Sequence, residues 1–136
     1  MHLASLTSPD IAALDKHKGV LILPIGAIEQ HGPHLPVHTD TLLATRVLEI
    51  ALATLHTGTP AWMLPTLPYG KSNEHTGFAG TFTLIAATLT AVLRELAESA
   101  VASGFRRLAF FNGHGGNVAV LDAAARDIRA STGLMT

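Results

Sequence analysis

The sequence predicts a three-layer α/β/α fold built on a mainly parallel sheet of three strands. Three observations predict it. The pattern of strand, loop and helix recurs three times along the chain. The strand segments are short and apolar throughout, as in strands covered on both faces. The intervening segments carry apolar residues at helical spacing. Right-handed crossovers then bring the three strand C-termini to one edge, where ligands of open α/β sheets bind.

Ser8-Pro9-Asp10 opens a short helix running to about Lys18, with Ser8 or Asp10 as its cap and Ile11, Ala12 and Leu14 as its apolar stripe. Val20-Leu21-Ile22-Leu23 forms the first strand. The segment from Asp40 to about Leu55 is a helix with Leu42, Leu43, Val47, Leu48, Ile50 and Ala51 on its buried side. Ala61-Trp62-Met63-Leu64 is the second strand, and Pro65 to Gly80 is a long functional loop. Thr83 to Ser103 is a helix stopped by Gly104. Leu108-Ala109-Phe110-Phe111 is the third strand, and Val118 to about Ala130 is the last helix. Trp62 and the phenylalanines are assigned to the core.

At 136 residues, 48% hydrophobic and 14% charged, the chain is expected to form a single domain, residues 1–136, with a sizeable core. A formal net charge of −1 offers no field for nucleic acid or an anionic membrane, and Arg106-Arg107 reads as a solvated strand entry. Cysteine is absent, so disulfides and thiolate metal sites are excluded and any metal must use nitrogen and oxygen ligands. The first residues lack a charged start followed by an apolar run, and no stretch of about 18 uninterrupted apolar residues occurs. A cytoplasmic protein is expected. Gly113, Gly115 and Gly116 lack the Lys-Ser/Thr of a phosphate loop, which argues against nucleotide binding.

The loop from Pro24 to Thr41 concentrates the chemistry. Glu29 and His31, at i and i+2, project to one side of an extended segment, and the turns at Gly32-Pro33 and Leu35-Pro36 can fold Asp40 back toward them. The three can share a cation, or satisfy the loop's own backbone. His114 sits between glycines just past the third strand, where backbone can approach a metal or substrate closely. His34 and His38 are either partners that orient a ligand carboxylate or exposed turn histidines. Glu74 and His75 lie in the long loop, either beside the substrate or fixing the loop against the Gly-rich turn. Ser72 is not a triad nucleophile, because Gly70-Lys71-Ser72-Asn73-Glu74 is not the Gly-x-Ser-x-Gly elbow.

Three ordered motifs carry a family resemblance. Leu23-Pro24-Ile25-Gly26-Ala27-Ile28-Glu29-Gln30-His31-Gly32-Pro33-His34-Leu35-Pro36 with Thr39-Asp40 resembles the opening motif of the creatininase (creatinine amidohydrolase) family. Pro68-Tyr69-Gly70-Lys71-Ser72-Asn73-Glu74-His75 with Gly80-Thr81, and Asn112-Gly113-His114-Gly115-Gly116-Asn117, resemble its second and third motifs. The resemblance implies a metal-dependent amidohydrolase with two divalent cations. Glu29, Asp40 and His114 would hold one; His31 and Asp40, with a further glutamate, would hold the other. Asp40 is the candidate bridge between cations about 3.5–4 Å apart.

In creatininase itself the third motif reads His-x-Glu, where this chain has His114-Gly115-Gly116. Wider members with the Gly-Gly version take an acidic ligand from a later His-Ala-Gly…Glu segment, which has no counterpart before Thr136. The domain is accordingly expected to be incomplete at its C-terminus. Zinc suits imidazole and carboxylate ligands, and manganese or iron fit as well. Backbone N–H groups of Gly115 and Gly116 are candidate oxyanion donors.

Three functional expectations follow. The first is hydrolysis of a small-molecule amide at a non-peptide or cyclic C–N bond. The second is peptide processing in cofactor biosynthesis. The third is an inactive truncated member or partner subunit. An unpaired sheet edge further implies a homo-oligomer.

Overall fold

The computed structural model describes residues 1–136. The elements in chain order are α1 (Ser8–Ala12), β1 (Val20–Ile25), α2 (Thr39–Ala53), β2 (Ala61–Met63), α3 (Ala86–Ala102), β3 (Leu108–Asn112) and α4 (Val118–Thr132), with single 3-10 turns at Leu3–Ser5, Asn73–His75 and Gly115–Asn117. The three strands form one parallel sheet in the order β2-β1-β3, as the alternation of apolar runs and helices requires. β1 is the central strand. No helix is long and apolar enough to cross a membrane.

The main core lies on one face of the sheet. Leu21, Leu23 and Ile25 of β1 and Leu108 of β3 pack with Leu89, Leu93 and Ala97 of α3 and Leu121, Ala124 and Ile128 of α4. Trp62 belongs to this core, edge-on to Phe105 at 5.8 Å between ring centroids. α2 packs against β1 and β3 outside that cluster, on the other side, which completes the layered arrangement.

Several boundaries differ from the sequence reading. The cap of α1 is Thr7, not Ser8 or Asp10. The Asp10 N–H donates to the Thr7 hydroxyl at 3.4 Å while the Thr7 N–H donates to the Asp10 carboxylate at 3.1 Å, a reciprocal capping box. The helix stops at Ala12 instead of reaching Lys18, because the Ala13 N–H turns back onto the preceding carbonyls and Lys16 Nζ donates to the Ala12 carbonyl at 3.2 Å. β1 runs two residues beyond Leu23, through Pro24, whose carbonyl accepts from the Leu67 N–H at 2.9 Å.

α3 begins at Ala86, not Thr83, because the preceding segment is already committed. The Leu84 N–H donates to the Gly70 carbonyl at 2.9 Å, and the Thr83 hydroxyl accepts the Ser72 N–H at 2.7 Å. Arg107 is not simply a solvated strand entry, since its guanidinium donates to the His17 carbonyl.

The largest correction concerns α2. Leu42, Leu43, Val47 and Ile50 are exposed, and the stripe turned inward is Asp40, Ala44 and Leu48. Two glycines set this orientation by bringing the helix onto the sheet. A Cβ on Gly26 would lie 2.4 Å from Thr41 Cα, and one on Gly113 would lie 2.7 Å from the Asp40 carbonyl and 2.8 Å from Ala44 Cβ. At that distance the helix meets the sheet through Thr41 and Ala44. The outer edge of β3 is open beyond Leu108, whose N–H donates to the Met135 carbonyl at 2.8 Å.

Candidate metal centre

The loops that follow β1, β2 and β3 meet at the C-terminal edge of the sheet. Asn117, fully buried, ties all three together. Its side chain accepts the Lys71 N–H at 2.8 Å and donates to the Gly26 carbonyl at 3.1 Å and to Asn112 Oδ1 at 3.2 Å. The Thr41 hydroxyl adds bonds to the carbonyls of Ala27 at 3.0 Å and Pro68 at 3.2 Å, anchoring the first turn of α2 over the same junction.

This junction brings together Glu29, His31 and Asp40, as the loop spacing predicts, and His114 with them. Donor atoms of Glu29, His31 and Asp40 lie within 4.8 Å of one another. Asp40 divides its oxygens: Oδ1 lies 2.9 Å from His31 Nε2 and Oδ2 lies 2.7 Å from His114 Nδ1. Glu29 Oε1 lies 3.4 Å from the same His114 nitrogen. Glu29, Asp40 and His114 are all buried.

His75 also joins the group, its Nδ1 2.8 Å from Glu29 Oε2. The sequence left its place open between the substrate side and loop fixing; the structure sets it against a carboxylate of the cluster. Phe78 braces the His75 ring edge-on at 6.1 Å. Glu74 is exposed, with Oε2 paired to Lys71 Nζ at 2.9 Å and Oε1 facing Gly116, where a Cβ would lie 3.0 Å from it. His34 and His38 are exposed, and His38 precedes α2 without a side-chain cap bond. Neither reaches the cluster. Gly115 and Gly116 form the turn beside His114 that leads into α4.

Ser72 and Asn117 carry more of the geometry than the sequence disclosed. Ser72 is fully buried, with its hydroxyl 3.0 Å from His114 Nε2. Both stand inside the quoted motifs, but one sequence gives no reason to rank a serine or an asparagine above its neighbours.

The electrostatics match a site built for positive charge. Burial alone would raise the Glu29 carboxyl, but the hydrogen bonds of His75 and Ser72, together with the neighbouring His114 and His75 rings, hold it below the ordinary carboxylate range. Burial alone would lower His31, but its hydrogen bonds to the Glu29 carbonyl and Asp40, and both carboxylates' charge, hold it above the usual imidazole value. The donor set therefore fits a divalent cation. A ring-nitrogen lone pair and a carboxylate oxygen repel at 2.7–2.9 Å unless a proton or a metal lies between them, and Asp40 meets two such nitrogens.

The family profile described as Creatininase, creatinine amidohydrolase, matches residues 4–136. A mycofactocin precursor peptide peptidase of Mycobacterium ulcerans (strain Agy99) is 45% identical over 115 residues, covering 81% of this chain and 46% of the relative. The creatinine amidohydrolase of Pseudomonas putida is 38% identical over 119 residues, covering 81% and 44%. A solved structure described as Creatininase Mn superposes with a TM-score of 0.80 at 34% identity, covering 96% of this chain and 53% of that one. The chain thus spans about half the length of the relatives it matches. With the profile running through all three motifs and the fold superposing over nearly the whole chain, the protein belongs to the creatininase family.

Proposed function

We propose that this chain carries the metal-holding half of a hydrolase that cleaves an amide C–N bond with metal-activated water. One observation carries the reading: the carboxylate of Asp40 is split between two imidazoles that approach from different loops. That is the donor arrangement of a dinuclear centre. Glu29, Asp40 and His114 would hold one divalent cation, and His31 with Asp40 would begin the shell of the second. Zinc and manganese both suit these nitrogen and oxygen donors. Such cations would make a bound water acidic enough to ionise near neutral pH and would polarise the substrate carbonyl.

The residues divide the remaining work. Asp40 and Glu29 supply negative charge from a buried position, His75 holds Glu29 in one orientation, and the backbone N–H groups of Gly115 and Gly116 are the candidate oxyanion donors. For the substrate, two features favour an amide of a short peptide over a cyclic non-peptide amide such as creatinine. Identity to the peptide peptidase exceeds identity to the creatinine amidohydrolase, 45% against 38%. The third motif also has glycine where creatininase has the glutamate of His-x-Glu. The absence of cysteine suits a cytoplasmic setting, and the open edge of β3 suits self-association.

The test is a substrate panel of creatinine, formamides and short peptides, assayed with protein loaded with zinc or manganese and metal content measured on the same sample. Peptide cleavage that disappears on chelation supports the reading. Metal uptake without turnover supports the inactive or partner-subunit alternative. Failure to take up either metal overturns the proposal.

A further inference from the structure

The His114 ring is contacted at both nitrogens, and Ser72, which also bonds Glu29, stands on the Nε2 side. Its Nε2 lies 3.1 Å from the Lys71 carbonyl and 3.0 Å from the Ser72 hydroxyl. A carbonyl only accepts, so Nε2 must carry the proton, and the ring then turns Nδ1 to Asp40 and Glu29. Neither contact depends on the ring for its own position. The Lys71 N–H is held by Asn117 Oδ1 at 2.8 Å, and the Ser72 N–H by Thr83 Oγ1 at 2.7 Å.

Gly116 completes the device. A Cβ there would lie 2.4 Å from the Lys71 carbonyl and 2.5 Å from His114 Nε2, closer than real Cβ contacts allow. A side chain at this position requires the Lys71 carbonyl, the His114 ring or both to shift. His31 is aimed in a parallel way, its Nδ1 facing the Glu29 backbone carbonyl at 3.1 Å while Nε2 meets Asp40.

We infer that the Lys71 carbonyl and the Ser72 hydroxyl select the nitrogen through which His114 meets the carboxylates, so that Ser72 is a positioning residue of the centre and Gly116 is the gap that lets the Lys71 carbonyl reach the ring. The inference rests on the metal-centre reading above but goes beyond it, because it assigns a tautomer and a residue to set it.

The experiment is imidazole nitrogen–proton correlation NMR on the protein with and without Zn²⁺, paired with Zn²⁺ titration of Ser72→Ala, Ser72→Thr and Gly116→Ala. In the zinc-loaded protein His114 keeps its proton on Nε2 and coordinates through Nδ1. Ser72→Ala weakens Zn²⁺ binding about 10- to 100-fold, as loss of a ligand-orienting partner does, and leaves metal-free thermal stability within a few degrees. Ser72→Thr, retaining the hydroxyl, recovers most of the affinity, and Gly116→Ala loses it.

Coordination of His114 through Nε2, or unchanged affinity in Ser72→Ala, overturns the inference. If the wild-type protein takes up no zinc, the proposed function falls separately. The metal-free spectrum then still decides the tautomer: a proton on Nε2 supports the inference, and a proton on Nδ1 alone overturns it.

Discussion

Asp40→Asn removes charge while keeping size, and its consequences can be worked from two distances. Asp40 makes charge-assisted contacts of 2.9 Å to His31 and 2.7 Å to His114, each worth about 1.5–3 kcal/mol. An asparagine can keep one of them as an ordinary acceptor and must turn its amide toward the other ring. The mutant also avoids the desolvation cost of a buried carboxylate. The net loss for the metal-free protein is then about 2 kcal/mol, or roughly 8 °C in melting temperature for a chain of this size. Metal binding suffers more, because one carboxylate serves both imidazole sites; uptake of both cations should fall at least about 100-fold, beyond the effect of losing an orienting neighbour. The assay is thermal unfolding in chelator together with metal analysis after dialysis. His34→Ala is the control: His34 is exposed and its loss should change stability by less than about 0.5 kcal/mol. If Asp40→Asn retains metal and melts as His34→Ala does, the shared-carboxylate reading is refuted.

The pH dependence of the metal-free protein follows from two opposed shifts. Glu29, lowered from 4.5, contributes stability that is present above that value and is lost as pH falls through its depressed pKa. His31, raised from 6.5, contributes stability that is full below that value and is lost as pH rises through its elevated pKa. The two together peak between 4.5 and 6.5, so a melting temperature that climbs steadily from pH 6 to 9 in chelator would contradict the assignment. Zinc competes with the His31 proton, so its apparent affinity should increase with pH up to that elevated pKa, which calorimetric titration at several pH values can check. Gly113→Ala pushes a methyl into the Asp40 carbonyl and Ala44; it should cost about 1–3 kcal/mol and reduce metal content with it, read by denaturant unfolding and metal analysis. Leu93→Ala, at a fully buried position between α3 and the sheet, should cost about 2–5 kcal/mol while leaving the metal-to-protein ratio of the folded fraction unchanged.

The fold was legible because its signals are local and repeated. Three apolar runs, each followed by a polar, glycine-containing loop and a helix-spaced segment, leave few alternatives to a parallel sheet, and all three strands form where those runs lie. The ends of α1 were misplaced because local capping contacts set them, and two larger errors came where a long-range contact outweighed a local pattern. Thr83 carries helical spacing yet stays extended because Gly70 and Ser72 bind it first. Leu42, Leu43, Val47 and Ile50 of α2 face outward because Gly26 and Gly113 let its Thr41 and Ala44 side approach the sheet closely, with only Leu48 of the expected apolar residues turned inward at 4% exposure.

The candidate site divides in the same way. By itself the sequence determined that Glu29, His31 and Asp40 would share one loop, and that His114 would follow a strand whose end reaches the same edge, because spacing and strand order are properties of the chain. Only the tertiary structure decided that Asp40 faces two imidazoles at once, that His75 binds Glu29, that His34 stays outside, and that Ser72 backs His114. The physical reason is range. These contacts join loops 42 to 74 residues apart in sequence, except for the bond from His31 to Asp40, which spans 9. Ring orientation within them is set by carbonyls and glycines whose local sequence carries no mark of the partner they will meet.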